Sequence, residues 1–213
     1  MKNFLFIAML FVCTFIFGQH TNEKLIIPNG TWNFGGNISF NTSKEQGGFF
    51  LENSERKSLA INFEPKLSYA IKNNLFIGIG LGYGYSEYEY MPSDLAEGSI
   101  STINVWSIVP NVKKYFPVGE KLTLNLLGEF RYSSSKNNND NSDYDSSGNN
   151  YFIGIRPGIT YFLNKKIALD ANIGSLGYWN RKTDYNGDDD KSSGFGLAMN
   201  TSDFYFGLSY FLF

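Results

Sequence analysis

Eight segments of this chain alternate a bulky apolar residue with a small or polar one, and this pattern constrains the fold more than any other feature. Successive side chains of a strand point to opposite faces, so each segment reads as a strand with two chemically different sides. Trp32, Phe34, Ile38 and Phe40 oppose Asn33, Gly35, Asn37 and Ser39. Ile61 to Tyr69 alternates in the same way with Asn62, Glu64, Lys66 and Ser68, and Leu75 to Tyr85 with a face that is mostly glycine. Further segments are Trp106 to Val112, Leu122 to Tyr132 (Leu127 being out of pattern), Ile153 to Tyr161, Ile167 to Ile173, and Phe204 to Leu212.

The connections between these segments take strict turns in length. Short ones centre on Asn73 and Asn74, on Pro117 to Glu120, and on Asn164 to Lys166. Long polar ones run Thr42 to Lys57, Glu87 to Ser99, Ser134 to Asn150, and Asn180 to Ser193. One rim is therefore trimmed and the other ornate, the asymmetry of a membrane barrel with tight turns on one side and long loops on the other. Volume decides which face points outward. An eight-stranded barrel has an interior just wide enough for side chains, and the apolar face carries roughly forty positions, mostly Leu, Ile, Phe, Tyr and Trp. These cannot fit inside, whereas the Gly, Ser and Asn face can. The expected fold is all-β, an eight-stranded antiparallel up-and-down transmembrane β-barrel.

A weak internal repeat agrees with a chain that goes up and down. Glu64-Pro65-Lys66-Leu67-Ser68-Tyr69 echoes Arg156-Pro157-Gly158-Ile159-Thr160-Tyr161, with Val109-Pro110-Asn111-Val112 between them, and the prolines are 45 and 47 residues apart. Proline lacks an N–H, so local bulges are expected at the three sites. Tyr115 comes one residue late after Lys113 and Lys114, which an extra residue there would explain.

At the N-terminus, Lys2 precedes an unbroken low-polarity run from Phe4 to Phe17, after which the chain turns polar. Fourteen residues are too few for a spanning helix, which needs about 20, so residues 1–18 read as a cleaved signal peptide and 19–213 as the barrel domain. Cys13, the only cysteine, would leave with the signal, so no disulfide framework supports the exported domain. His20, the only histidine, would lie before the first strand.

Charge excludes one class of partner. Eighteen Lys and Arg against 20 Asp and Glu give a net charge of −2 without any basic stripe, so no nucleic-acid partner is expected. The charges that matter lie on the inward face. Glu64, Lys66, Glu129, Arg131 and Arg156 all point inward at similar depth, with Lys113 and Asp170 a few residues nearer the trimmed rim. In so narrow a tube they should pair, because an unpaired buried charge is expensive. The expected outcome is a structural charge network that closes the lumen. The acidic stretches Asn137 to Asp145 and Asp184 to Asp190 offer oxygen ligands, but their spacing is not that of an EF-hand, and a solvated loop needs the same residues. No metal and no cofactor are expected.

The alternation, the one-sided loops, the export signal and the aromatic C-terminus Gly207-Leu208-Ser209-Tyr210-Phe211-Leu212-Phe213 together resemble the small outer-membrane barrels related to the OmpA transmembrane domain and to OmpX. The resemblance implies a multi-pass barrel in a Gram-negative outer membrane, surrounded by its lipid and lipopolysaccharide. It also implies that Tyr210, Phe211 and Phe213 form a signal for the barrel-assembly machinery, although alternation from Phe204 ends at Leu212 and leaves Phe213 on the other face. That family shares architecture more than activity. A monomeric structural, adhesive or surface-interaction barrel acting through long acidic loops is the leading expectation, with a narrow porin-like solute channel as the alternative. A lipid-modifying enzyme ranks lower: known barrel enzymes rely on a His beside a Ser or carboxylate, and His20 lies at the wrong end. No catalytic residue is expected.

Overall fold

A computed structural model describes residues 24–48, 51–91, 98–140, 146–185, 188–199 and 204–213. The expected signal peptide, with Cys13 and His20, lies outside the described residues. Ten strands form one antiparallel sheet: β1 (Trp32–Gly48), β2 (Leu51–Lys72), β3 (Leu75–Met91), β4 (Ser99–Pro117), β5 (Leu122–Asn139), β6 (Ser146–Phe162), β7 (Ile167–Ile173), β8 (Ser175–Tyr185), β9 (Asp188–Ala198) and β10 (Phe204–Leu212). Neighbours pair in the order β5-β4-β3-β2-β1-β10-β7-β6, and β6 pairs with β5, which closes an eight-stranded barrel. β8 continues β7 along the edge of β6, and β9 pairs with β8.

The period-two pattern sets the faces. Outward positions are exposed and apolar, among them Phe63, Leu67, Ile79, Leu81, Trp106, Phe130, Ile153 and Ile159, while inward positions such as Glu64, Ser68, Asn111, Asn125 and Thr160 are buried. On β2 this outward apolar stretch runs nine residues from Ile61 to Tyr69, close to the 9–11 needed for a tilted strand to cross a membrane. Aromatic pairs mark its borders, Trp32 on Tyr69 at the turn end and Tyr83 on Trp106 at the hairpin end, with ring centroids 4.9 and 4.5 Å apart. So wide an apolar outer surface cannot face water and is a lipid-facing belt.

The long connections differ from the expectation. The described residues of Thr42 to Lys57, Glu87 to Ser99, Ser134 to Asn150 and Asn180 to Ser193 are mostly strand, not loop. β2 continues ten residues past Ile61 to Leu51, roughly 30 Å at 3.3 Å per residue. A ladder that starts inside the barrel can propagate into water with polar residues on both faces, so alternation fades while the hydrogen bonds persist.

The proline expectation also needs correction. The register between β2 and β3 is the same on both sides of Pro65, and that between β4 and β5 the same on both sides of Pro110. Pairing lapses at these prolines without an inserted residue. The register from Leu75↔Lys114 onward is unbroken as well, so no bulge precedes Tyr115; its ring simply turns inward and is buried. At the third proline, Pro157, an extra residue is present, inserted in the partner strand. From Gly158↔Asn172 to Ile155↔Leu176, β6 advances three residues and its partner four, a bulge centred on Gly174 and facing Pro157. Gly174 has φ +68°, a conformation that disfavours any Cβ, which explains glycine there.

Candidate functional site

The functional question in a barrel is what fills its lumen, and here the filling begins at the turn end with apolar side chains. Ile27, Ala70, Phe76, Tyr115, Phe162, Ala168 and Phe211 form a buried floor, with Leu25 packed against it. Phe211 is its hub: its ring centroid lies 5.0 Å from that of Phe162, 6.0 Å from that of Phe76 and 6.2 Å from that of Tyr115. Ile27 comes from the segment ahead of β1, which crosses the mouth as a strap. Ile27 N–H donates to Asn74 Oδ1 at 2.8 Å, Asn74 N–H donates back to the Ile27 carbonyl at 2.9 Å, and Leu25 N–H donates to the Gly119 carbonyl at 3.2 Å. Asn74 can do this because it sits in the β2–β3 turn with φ 60°, a conformation that Asn tolerates better than most residues. Sequence reasoning missed this strap; the run Leu25-Ile26-Ile27 ahead of Pro28 was its signal.

Above the floor lies Asp170 on β7. Lys113 Nζ approaches Asp170 Oδ1 at 2.6 Å, Thr160 Oγ1 donates to the same oxygen at 2.6 Å, and Ser209 Oγ donates to Oδ2 at 2.5 Å. Three donors from three other strands engage both oxygens of one carboxylate, as a buried charge requires. Lys113 also lies 4.9 Å from the centroid of the Tyr115 ring and so ties this layer to the floor.

A second layer crosses the barrel further toward the hairpin end. Glu64 on β2 meets Arg131 on the far side at 2.5 Å and Lys66 at 3.0 Å. Glu129 accepts from Arg156 Nε at 2.9 Å and lies 3.6 Å from Arg131, the longer contact being electrostatic rather than a hydrogen bond. Arg156 Nη1 donates at 3.4 Å to the carbonyl of Gly174, so the bulge hands one of its orphaned backbone acceptors to the network. All seven charged residues singled out in the sequence therefore sit in these two layers. Of the three C-terminal aromatics, Tyr210 is on the lipid face, Phe211 in the floor, and Phe213 beyond the end of β10 and exposed.

Beyond this layer the lumen opens into a cavity of about 260 Å³ walled by Asn37, Ser39, Asn62, Ser107 and Ser133, with Glu64 and Arg131 as its base. Outside the belt, solvent-accessible ion pairs brace the hairpins: Lys44 to Glu55 at 2.9 Å across β1 and β2, Lys57 to Glu55 at 3.1 Å along β2, Lys57 to Glu89 at 3.3 Å between β2 and β3, and Lys182 to Asp189 at 2.9 Å across β8 and β9. Hydrogen bonding to Glu55 and then Glu89 holds the Lys57 ammonium above the usual lysine range, and Asp189 does the same for Lys182. Among the described residues no group of three or more His, Cys, Asp or Glu is placed to hold a metal ion.

A closed antiparallel barrel, apolar outside and ion-paired inside, with tight turns at one end and long hairpins at the other, defines the class of outer-membrane β-barrel proteins. Within that class the chain belongs to the family described as "Protein of unknown function (DUF3575)", whose sequence profile matches residues 87–208. No curated protein matches it. Among solved structures it is similar to the crystal structure of Neisserial surface protein A (NspA), at 14% identity and TM-score 0.43, over 88% of this chain and 99% of that one. It is also similar to a major outer membrane protein from Thermus thermophilus, at 13% identity and TM-score 0.41, over 85% of this chain and 99% of that one.

Proposed function

We propose that this protein is a monomeric, non-enzymatic and non-conducting barrel that works through the long acidic hairpins it holds outside the cell, in a structural, adhesive or surface-binding role. The observation that carries the reading is the lumen. An apolar floor strapped by Ile27 and two ion-paired layers, around Asp170 and around Glu64 and Glu129, lie in series across the path a solute would take. Each of these carboxylates holds at least one cationic partner, and separating the pairs would leave buried charges uncompensated. The hairpins, in contrast, carry their polar side chains far beyond the belt and offer the largest surface to a partner.

The same proposal includes a kinship with the OmpA and OmpX type of small barrel, export by a cleaved signal, a surrounding of outer-membrane lipid and lipopolysaccharide, and a C-terminal assembly signal. Tyr210, Phe211 and Phe213 would be read by the assembly machinery before folding, after which Phe211 has a second use in the floor. The test is single-channel recording in a planar bilayer. A quiet membrane containing inserted protein is the expected result; steady conductance from the parent protein would replace this reading with the narrow-channel one.

A further inference from the structure

The barrel is closed in its turn-end half and split in its hairpin-end half. β1 pairs with β10 only from Trp32↔Leu212 to Asn37↔Gly207, although β1 itself runs on to Gly48. Among the described residues, β1 beyond Asn37 has β2 on one side and no strand on the other, and β9 has none on the side away from β8. The split lies partly within the belt. Leu197 on its β9 bank is in register with Leu176, which pairs with Ile155 of the belt, and Leu197 is 68% exposed. Ile38 and Phe206, the first outward residues past the last pair, are 69% and 67% exposed.

An unpaired strand edge is not tolerated in hydrocarbon unless polar groups reach it. Two hollows meet where the pairing ends. On the lipid side is an apolar groove walled by Phe34, Ile38, Pro65, Phe206 and Leu208, and on the lumen side is the polar cavity of about 260 Å³; Asn37 and Phe63 belong to both walls. The outer hollow suits an acyl chain. The inner one offers hydroxyls and amides from Asn37, Ser39, Asn62, Ser107 and Ser133 above a carboxylate and a guanidinium already engaged with each other.

We propose that this seam admits one single-chain lipid from the surrounding membrane, its acyl chain lying in the groove and a small hydrogen-bonding head, of glycerol size, entering the cavity. Size favours a small head: the cavity offers about 260 Å³ above the ion pair of Glu64 and Arg131, and its polar wall is a short set of hydroxyls and amides. Such a ligand satisfies both demands of the seam, covering apolar residues and bringing polar atoms to the strand edge. The inference goes beyond the closed-lumen reading, since the lipid enters sideways and stops above the charge layers.

The test is native mass spectrometry of the full chain purified from outer membranes and titrated with 1-oleoylglycerol. One saturable copy retained per barrel is expected. Filling the cavity by Asn62→Leu with Ser133→Leu should weaken retention at least tenfold. Phe206→Ala, which alters only the groove, should weaken it as well, and heat-modifiable gel mobility reports whether each variant is folded. An oleoyl lipid with a disaccharide head should be retained less than 1-oleoylglycerol. The proposal is overturned by no retention in the parent, by non-saturating retention that folded variants share, or by a dimer whose formation excludes the lipid, which would assign the open edge to a second copy. None of these outcomes depends on whether the barrel conducts.

Discussion

The two halves of the barrel solve one problem, how to fill a narrow tube, in opposite ways. At the turn end all eight positions around the ring are paired, and the interior is apolar, largely aromatic and strapped by Ile27. At the hairpin end the ring is split between β1 and β9, the inward face is Gly, Ser and Asn, and a cavity remains. The border is the layer of Glu64, Arg131, Glu129 and Arg156. Stability is concentrated below that border, which leaves the part above it free to vary in shape.

Substitutions on either side of the border should differ accordingly. The largest effect is expected at the border itself: Glu129→Ala removes the carboxylate that accepts from Arg156 Nε and should lower stability by about 3 to 5 kcal/mol, read as a lower temperature for the heat-induced shift in gel mobility. Next comes the belt, where Leu81→Arg places a charge against lipid near mid-depth and should cost about 2 to 4 kcal/mol, whereas Asn62→Arg, facing the cavity above the border, should be close to neutral. Equal tolerance of the two would mean that the faces are inverted. In the floor, Ile27→Ala removes the strap's anchor, and a loss of about 2 to 3 kcal/mol in urea unfolding is expected. Smallest of all should be Lys57→Ala on the hairpins; its ion pairs are exposed and screened by solvent, and an unfolding midpoint indistinguishable from that of the parent is anticipated. A hairpin substitution as costly as the one at Glu129 would erase the contrast between the halves.

Much of this was legible because alternation is a geometric signal. Faces such as Leu67 against Ser68 and Ile159 against Thr160 follow from period two alone, and once the faces are known the inward charges at Glu64, Glu129, Arg131 and Arg156 have few places to go. What was not legible lacks that signal. β8 beyond Asn180 and β9 up to Ser193 are polar on both sides in water, so they read as loop, although the ladders of β8 with β6 and of β9 with β8 are unbroken. The bulge at Gly174 depends on a one-residue mismatch between neighbours that are distant in sequence, while Pro65 and Pro110, the obvious suspects, merely drop a pairing. The strap at Ile27 is three apolar residues long, too short for any periodicity, and the end of pairing at Asn37 leaves no mark in the residues of β1.

The central claim is that the charge layers and floor seal the lower half while the upper half is open, and one strand tests it directly. Asn62 and Ser68 share the inward face of β2 on opposite sides of Glu64 and Lys66, and the chain has no cysteine besides Cys13. Asn62→Cys and Ser68→Cys, assembled in outer membranes, are exposed separately to a charged, membrane-impermeant thiol reagent, and the labelling rates are compared. Rapid labelling at position 62 with almost none at position 68 is the result the account predicts. Comparable rates at the two positions would contradict it, because water and solute would then be passing the layers that are supposed to close the barrel.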